Sequence, residues 1–445
     1  MHASPETIEV SAPSENLRRD VRLIDLVTLG AGTAIGATIF SVLGPAAQVG
    51  HEGLLIAVAL AALPMVVFAL VYAYMGSAVP HTAASFEWQR EFTSPVVAFA
   101  IVWLRVLSNA VVMIVLGQVL ASYLGGLVPL PPKVTMIGFF TLIFLLNYRG
   151  VALAARVQTV LMSLLLAALS VLVLTGAPHW QPHLFVVALS KGWAPIVLTL
   201  PLMIQLFTGI ETATEVGGEV EDAKRVVPWG VALSLLLTLI VYLLVAFSAM
   251  SLLGADGLAA SDTPLLAAAR VVLGRWADPF IVSAATLSLV KSMNAVFLVY
   301  SRFIYAMGRS GSAPSVLGRV HPKFGTPHVA TVVAYLATLA GLMLPTSLIF
   351  LLLAVNLPTM MKYLGTCLAA YNVAAHRPDV QAAAFLKFSP TTVKVLSVLG
   401  IIAAFGIGFI GISTDWRPYV LLLGWLIVGL TYYFFSVRLQ AEGVR

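Results

Sequence analysis

The sequence predicts an all-α polytopic membrane protein, and three observations carry that prediction. Of its 445 residues, 60% are hydrophobic and only 10% charged, with a mean hydropathy of +0.98. Long apolar runs recur from one end to the other, twelve of them near the length of about 20 residues that a helix needs to cross the hydrocarbon core. The runs are continuous rather than alternating, which favours a helical bundle over an outer-membrane barrel.

The predicted spans lie near 23–49, 53–78, 95–123, 133–149, 154–176, 193–218, 228–253, 278–302, 327–345, 347–370, 391–413 and 417–437. Residues 1–20 precede them as a polar tail containing Glu6, Glu9, Glu15 and Asp20. The tail lacks the basic-then-apolar pattern of a cleaved leader, so span one is expected to stay as an anchor. Connections between spans are short, and one membrane domain without a soluble catalytic module is expected.

The net charge of +6 raises the question of nucleic acid. With the N-terminus inside, most of the 25 basic residues fall at cytoplasmic ends and loops, Arg302 and Lys362 among them. Lys133, Lys191, Arg270, Arg275 and Arg417 fall on the other side, and Arg105 and Lys291 within spans. This is the positive-inside bias of a cytoplasmic-membrane protein with both termini inside, not a nucleic-acid patch.

Span one contains "LGAGTAIGATIFSVLG" (29–44), with Gly30, Gly32, Gly36 and Gly44 among small and hydroxylated residues. Span six contains "LFTGIETATEVGGEVED" (206–222), with Gly209, Gly217 and Gly218 beside Thr208, Glu211 and Thr212. Glycine-interrupted spans at matching places in two halves point to an inverted-repeat transporter and its binding site. Small-residue helix packing is the competing explanation of the glycines. It accounts poorly for the polar residues concentrated at both breaks.

These residues resemble the amino acid–polyamine–organocation (APC) superfamily. "GAGTAIGATIF" is similar to that family's first-span G-x-I-G-x-G-I-F pattern, with Thr38 where its last glycine is usual. "GIETATEVGGEVEDAKRVVPWGV" resembles the sixth-span pattern, in which Glu219, Arg225 and Pro228 fit and Ala223 replaces a proline. "YAMGRSGSAPSVLGRVHPKFGTPHVA" resembles the stretch after span eight. Entering span three, "PHTAASFEW" departs from the usual P-x-x-G-G-x-Y. The resemblance implies a LeuT-like five-plus-five inverted-repeat core with two appended helices. Its parts would be a tail over 1–20, a transport core over 21–375, and the last two helices with a second tail over 376–445. It also implies secondary transport of amino acids or related amines, by a monomer or homodimer in the lipid bilayer.

An amino acid presents a carboxylate and an ammonium, and broken helices bind both with backbone. The second half of span one is expected to begin just after Gly36, aiming the N–H groups of Ala37, Thr38 and Ile39 at a carboxylate. Carbonyls near Ala34 and Ile35, and near Leu206, Phe207 and Thr208 before Gly209, suit an ammonium. Side-chain selectivity is assigned to Gln205, Thr208 and the span-three positions Ser108 and Asn109, each of which also reads as an interhelical hydrogen bond. Phe207 reads as a gate or as packing.

Glu211 is the acidic residue after the span-six break. It is expected to read substrate charge, to hold the gate, or to form an ion pair with Arg105, which lies ~15 Å along its span from Pro95. An unpaired Arg105 would instead attract an anionic side chain. Glu219, Glu221, Asp222, Lys224 and Arg225 form a mixed run expected to be solvated or to latch a loop.

Lys291 sits at the centre of "SAATLSLVKSMNAVFLVY" (283–300), with Asn294 one turn later. A lysine at mid-bilayer depth costs at least ~2.5–3.5 kcal/mol on insertion scales, so it is paired, buried or functional. By resemblance, sodium-coupled relatives hold sodium between spans one, five and eight, and many sodium-independent ones put a span-five lysine there. Here the matching span-five position, after Arg156 and Gln158, is Leu165. The expectation is a transposed charge, with Lys291 supplying the cation and a proton-coupled, sodium-independent cycle. The alternative is a structural lysine bonded to helix carbonyls.

No cofactor or metal is expected. Cys367 is the single cysteine, and the eight histidines fall outside the spans, which argues against a membrane-embedded enzyme. A channel is disfavoured by the lack of a charge ring or filter loop.

Overall fold

The computed structural model describes residues 19–125, 131–190, 192–261, 263–344, 348–410 and 416–442. Span one is built from three pieces, α1 (Leu23–Ala34), α2 (Ala37–Ser41) and α3 (Leu43–Gly50). There follow α4 (Leu54–Ala78), the short α5 (Ala84–Phe92), α6 (Pro95–Gly125), α7 (Pro132–Arg149) and α8 (Val151–Gly176). Next, α9 (Leu184–Ser190) and α10 (Trp193–Ile204) lead into three 3-10 turns, Gln205–Phe207, Ile210–Thr214 and Gly217–Glu219. The second half holds α11 (Ala223–Ala259), α12 (Pro264–Leu273), α13 (Ala277–Arg309) and α14 (His328–Gly341). It ends with α15 (Leu348–His376), α16 (Pro378–Ala383), α17 (Pro390–Ile410) and α18 (Arg417–Glu442).

No extended strand occurs among the described residues, and two isolated bridges, Val21 with Val220 and Thr82 with Val216, are the sole β pairing there. This is what a lipid solvent demands, because a helix satisfies its backbone groups internally. Each of the twelve apolar runs is helical over most of its described length, and among the described residues seven helical segments are long and apolar enough to cross a membrane.

The outer surface is apolar. Val160, Leu164 and Leu174 on α8, Ile402 and Phe405 on α17, and Leu423, Ile427 and Val428 on α18 are all exposed. Contiguous apolar surface on this scale needs lipid or a partner to cover it. The interior is close-packed around α1, which contacts α8, α11, α13 and the Ile210–Thr214 turn. Glycine permits that approach. A Cβ on Gly30 would lie 2.8 Å from the Ile210 carbonyl oxygen and 2.9 Å from Ser234 Cβ. At the periphery, Trp103 and Trp425 stack at 4.7 Å, and each indole N–H donates to the other's carbonyl at 2.8 Å, fastening α18 to α6.

Two basic residues are not where the charge distribution along the sequence puts them. Arg302 and Lys362, expected at cytoplasmic ends, are 0% and 2% exposed inside α13 and α15. Helix α13 runs to Arg309 and α15 to His376, so both helices continue one or more turns past these residues. The mixed charge run after span six supplies one of the partners, Glu219.

Candidate functional site

Span one stops being helical at Ile35 (φ −75°, ψ 67°) and Gly36 (φ −109°, ψ −141°), then resumes at Ala37. Val42 keeps helical angles, and bonds from Val42 N to Thr38 O (2.8 Å) and from Ala46 N to Val42 O (2.9 Å) carry the helix through to Gly50. The N–H groups of Ala37, Thr38 and Ile39 therefore head a second half-helix. Span six breaks at Gly209, whose φ of +111° is a conformation that favours glycine. A Cβ there would meet Thr33 Cγ2 at 2.6 Å and the Ala34 nitrogen at 3.3 Å. The two breaks therefore face each other in direct contact.

Lys291 lies in the first break. It is 0% exposed, and its Nζ donates to the Gly32 carbonyl at 2.6 Å and to the Ile35 carbonyl. Ser292 Oγ donates to Gly32 O at 3.0 Å, and Ser288 Oγ to Ile35 O at 3.0 Å and Gly36 O at 3.3 Å. The Lys291 amine thus bonds carbonyls that the unwound turn frees. Both anticipated roles of Lys291 share one geometry, since it is bonded to helix carbonyls beside the break. Gly32 itself is hemmed in by Gln158, whose Nε2 leaves no room for a Cβ, while Lys291 Cδ would lie at an ordinary contact distance of 3.9 Å.

Two carbonyls assigned to the substrate ammonium have protein partners instead. Ile35 O is taken by Lys291 and Ser288, and Ala34 O accepts Tyr242 OH at 2.6 Å and Gly36 N at 2.8 Å. Phe207 is fully buried edge-on to Tyr242 at 5.7 Å, closing that side of the break. The side chains of Gln205 and Ala37 lie outside the described part of the structure.

The expected pair of Arg105 with Glu211 is not formed. Glu211 is claimed by α15, with Oε1 accepting Lys362 Nζ at 2.9 Å and Oε2 accepting Tyr363 OH at 2.6 Å. Oε2 also accepts the Gly209 N–H at 3.0 Å, so the carboxylate pins the break itself. Arg105 donates instead to neutral oxygens: Thr359 Oγ1 at 2.7 Å, Asn109 Oδ1 at 2.9 Å and Ser108 Oγ at 3.3 Å. The physical reason is reach, because α15 places an ammonium and a phenol directly on Glu211.

Lys362 continues to Glu215 Oε1 at 3.4 Å. Glu215 in turn accepts Ser85 Oγ at 2.6 Å and the Ser85 N–H at 3.1 Å, capping the first turn of α5 where a negative charge is favoured. Lys362, Tyr363 and Glu215 are therefore site residues that sequence reasoning missed. The signal available was the line "MMKYLG" inside an apolar run, with a lysine too far from either end to be a loop residue.

Asn294 serves the bundle. Its Nδ2 donates to Ala154 O at 2.9 Å and Gln158 Oε1 at 3.2 Å, and its Oδ1 accepts Asn147 Nδ2 at 3.0 Å, joining α13 to α7 and α8. Gln158 passes the connection to Thr28 O at 3.2 Å in α1. Leu165, the position matching the relatives' lysine, is 0% exposed in the core.

Below the break, Glu219 forms a two-pronged pair with Arg302, Nε to Oε1 and Nη2 to Oε2, both at 2.9 Å. Both side chains are 0% exposed. Backbone bonds from Val21 N to Glu219 O (3.1 Å) and from Ala83 N to Glu215 O (2.7 Å) tie the same strip to the start of α1 and to α5. Of the two expectations for Glu219, the latch is the observed one.

This geometry belongs with a known group of proteins. The amino acid permease family profile matches residues 22–431. The chain is 26% identical to a branched-chain amino acid permease of Bacillus subtilis (strain 168), over 98% of this chain and 97% of that protein. It is 25% identical to a methylthioribose transporter of the same organism, over 97% of this chain and 96% of the other. It is also 26% identical to the human cystine/glutamate transporter, over 92% of this chain and 86% of that one. The relatives are transporters rather than enzymes, and with its profile spanning nearly the whole sequence this chain belongs to the amino acid permease family of the APC superfamily.

Proposed function

We propose that this chain is a sodium-independent secondary transporter of amino acids that works by alternating access in the cytoplasmic membrane. The observation that carries the reading is the contact of two chain breaks, Gly209 against Thr33 and Ala34, with the Lys291 ammonium held by the carbonyls of the first. The N–H groups of Ala37, Thr38 and Ile39 receive the substrate carboxylate, and the backbone of Leu206, Phe207 and Thr208 receives its ammonium. The carbonyls of Ala34 and Ile35 are already bonded within the protein and leave the second break to do that work.

In this reading all twelve helical runs cross the bilayer, with both termini cytoplasmic. Residues 21–375 form a LeuT-like ten-helix core and 376–445 the two added helices. Lys291 occupies the place a sodium ion needs, so a proton gradient or exchange supplies the coupling. The likeness to a branched-chain amino acid permease and a cystine/glutamate transporter supports an amino acid substrate. The Glu211–Lys362–Tyr363 cluster then couples occupancy to movement, because Glu211 holds the Gly209 N–H and α15 at once.

A thermal-shift screen of the detergent-solubilised protein against the amino acids and polyamines tests the reading, since a ligand that binds the native state raises its melting temperature. At least one α-amino acid is expected to raise it in a saturable way. Stabilisation by polyamines alone would overturn the reading, because a ligand without a carboxylate does not use the N–H groups of span one.

A further inference from the structure

Buried donors without acceptors are expensive, and the interior holds two on one turn of α6. Arg105 Nε and Asn109 Nδ2 are shut off from solvent and meet no hydrogen-bond partner. Arg105 is 9% exposed and Asn109 2%, and every oxygen the guanidinium reaches, on Ser108, Asn109 and Thr359, is neutral. An unsatisfied buried polar group costs about 1–3 kcal/mol, and more when charged. Guanidinium does not deprotonate in proteins, so the charge cannot be shed.

The neighbouring carboxylates are committed elsewhere. Glu211 has three partners at 2.6–3.0 Å, and Glu215 accepts Ser85 twice and Lys362 once. Arg302 and Glu219 cancel as a pair, and Asp25 faces Arg22 at 3.8 Å. Among the described residues the buried cations Arg105, Lys291, Arg302 and Lys362 are matched in number by Asp25, Glu211, Glu215 and Glu219, but none of these carboxylates accepts a hydrogen bond from Arg105. Arg105 is near enough to Glu211, Glu215, Tyr72 and Tyr363 for direct charge interaction, and Glu211 holds the N–H of Gly209 at the span-six break.

We propose that Arg105 and Asn109 receive a second carboxylate, on the substrate's side chain, so that the transported amino acid is acidic. This rests on the transporter reading above and names its substrate class. Both unmet groups are donors, which an acceptor alone satisfies. A guanidinium presents N–H groups in a planar fork that matches a carboxylate. Ser108, bonded to Arg105, then acts through the arginine as a positioning residue.

Binding of L-glutamate, L-aspartate, L-glutamine and L-leucine to the solubilised full chain, read by thermal shift and by titration calorimetry, tests this. Wild type is expected to bind glutamate or aspartate at least tenfold more tightly than glutamine. Arg105→Gln is expected to lose that preference while still binding glutamine, and Asn109→Leu to weaken it by a smaller factor. If Arg105→Gln does not fold, the wild-type ratio and Asn109→Leu decide the matter. Glutamine or leucine binding as tightly as glutamate in wild type would overturn the site while leaving the transporter reading intact. Binding of none of the four, when another neutral amino acid binds, would overturn the site in the same way. Failure of every amino acid to bind would overturn the transporter reading, and this site with it.

Discussion

Replacing Arg302 by methionine keeps most of its apolar stem and deletes the charge that Glu219 depends on. Both side chains are 0% exposed, and two hydrogen bonds of 2.9 Å join them. Breaking such a pair from one side leaves an uncompensated buried charge and costs about 3–5 kcal/mol. The bond of Arg302 Nη1 to Ser301 Oγ (3.0 Å) is lost as well, worth about 1 kcal/mol. A loss of about 4–6 kcal/mol is therefore expected for Arg302→Met. Removing both charges, in Glu219→Leu with Arg302→Met, is expected to return most of that loss, because well-packed apolar pairs replace buried ion pairs at little or no cost. Equilibrium unfolding in mixed micelles, titrated with a denaturing detergent, measures both. A single variant within about 1 kcal/mol of wild type would refute the argument. So would a double variant as unstable as the single one, since isolation of Glu219 would then not be the cause.

Gly209→Ala places a Cβ 2.6 Å from Thr33 Cγ2 at a φ of +111°, with a backbone strain of about 1–3 kcal/mol before the clash is counted. Uptake into proteoliposomes is expected to be lost, and Thr33→Ser to relieve only the contact with Cγ2, since Thr33 Cβ at 3.0 Å and the Ala34 nitrogen at 3.3 Å remain. Lys362→Met leaves Glu211 and Glu215 together in the interior and is expected to cost about 3–5 kcal/mol in the same unfolding assay. Adding Glu211→Gln to Lys362→Met is expected to recover only part of that stability, since Glu215 stays buried without its cation, and not uptake, because the ion pair joining the span-six break to α15 is gone.

Hydropathy made the helical bundle legible because each apolar run must form its own backbone bonds in lipid. The two breaks were legible for a different reason: the glycines at 30, 32, 36 and 209 mark places where a Cβ does not fit. Lys291 stood out as a charge in the middle of an uncharged run, and the break it fills lies 259 and 256 residues away in sequence, at Gly32 and Ile35. Pairing was what the sequence could not convey. Arg105 and Lys362 both lie within bonding range of the site along their own helices, and only the rotation and depth of α15 against α6 decide which cation Glu211 takes. Arg302 and Glu219 were misplaced at a helix end and a loop because charge near a span boundary usually means solvent. Here α13 carries on for two more turns to Arg309 and the strip after span six folds back beneath it.

The central claim is that Lys291 supplies, from α13, the cation that the first break requires. Uptake of the stabilising amino acid by proteoliposomes, measured with a sodium gradient alone and a proton gradient alone for wild type and Lys291→Ala, tests it most directly. Wild-type uptake is expected to be indifferent to sodium, and the alanine variant to lose coupled uptake because the Gly32 and Ile35 carbonyls lose their cation. Strict sodium dependence of wild type, or full uptake by the alanine variant under every gradient, would contradict it.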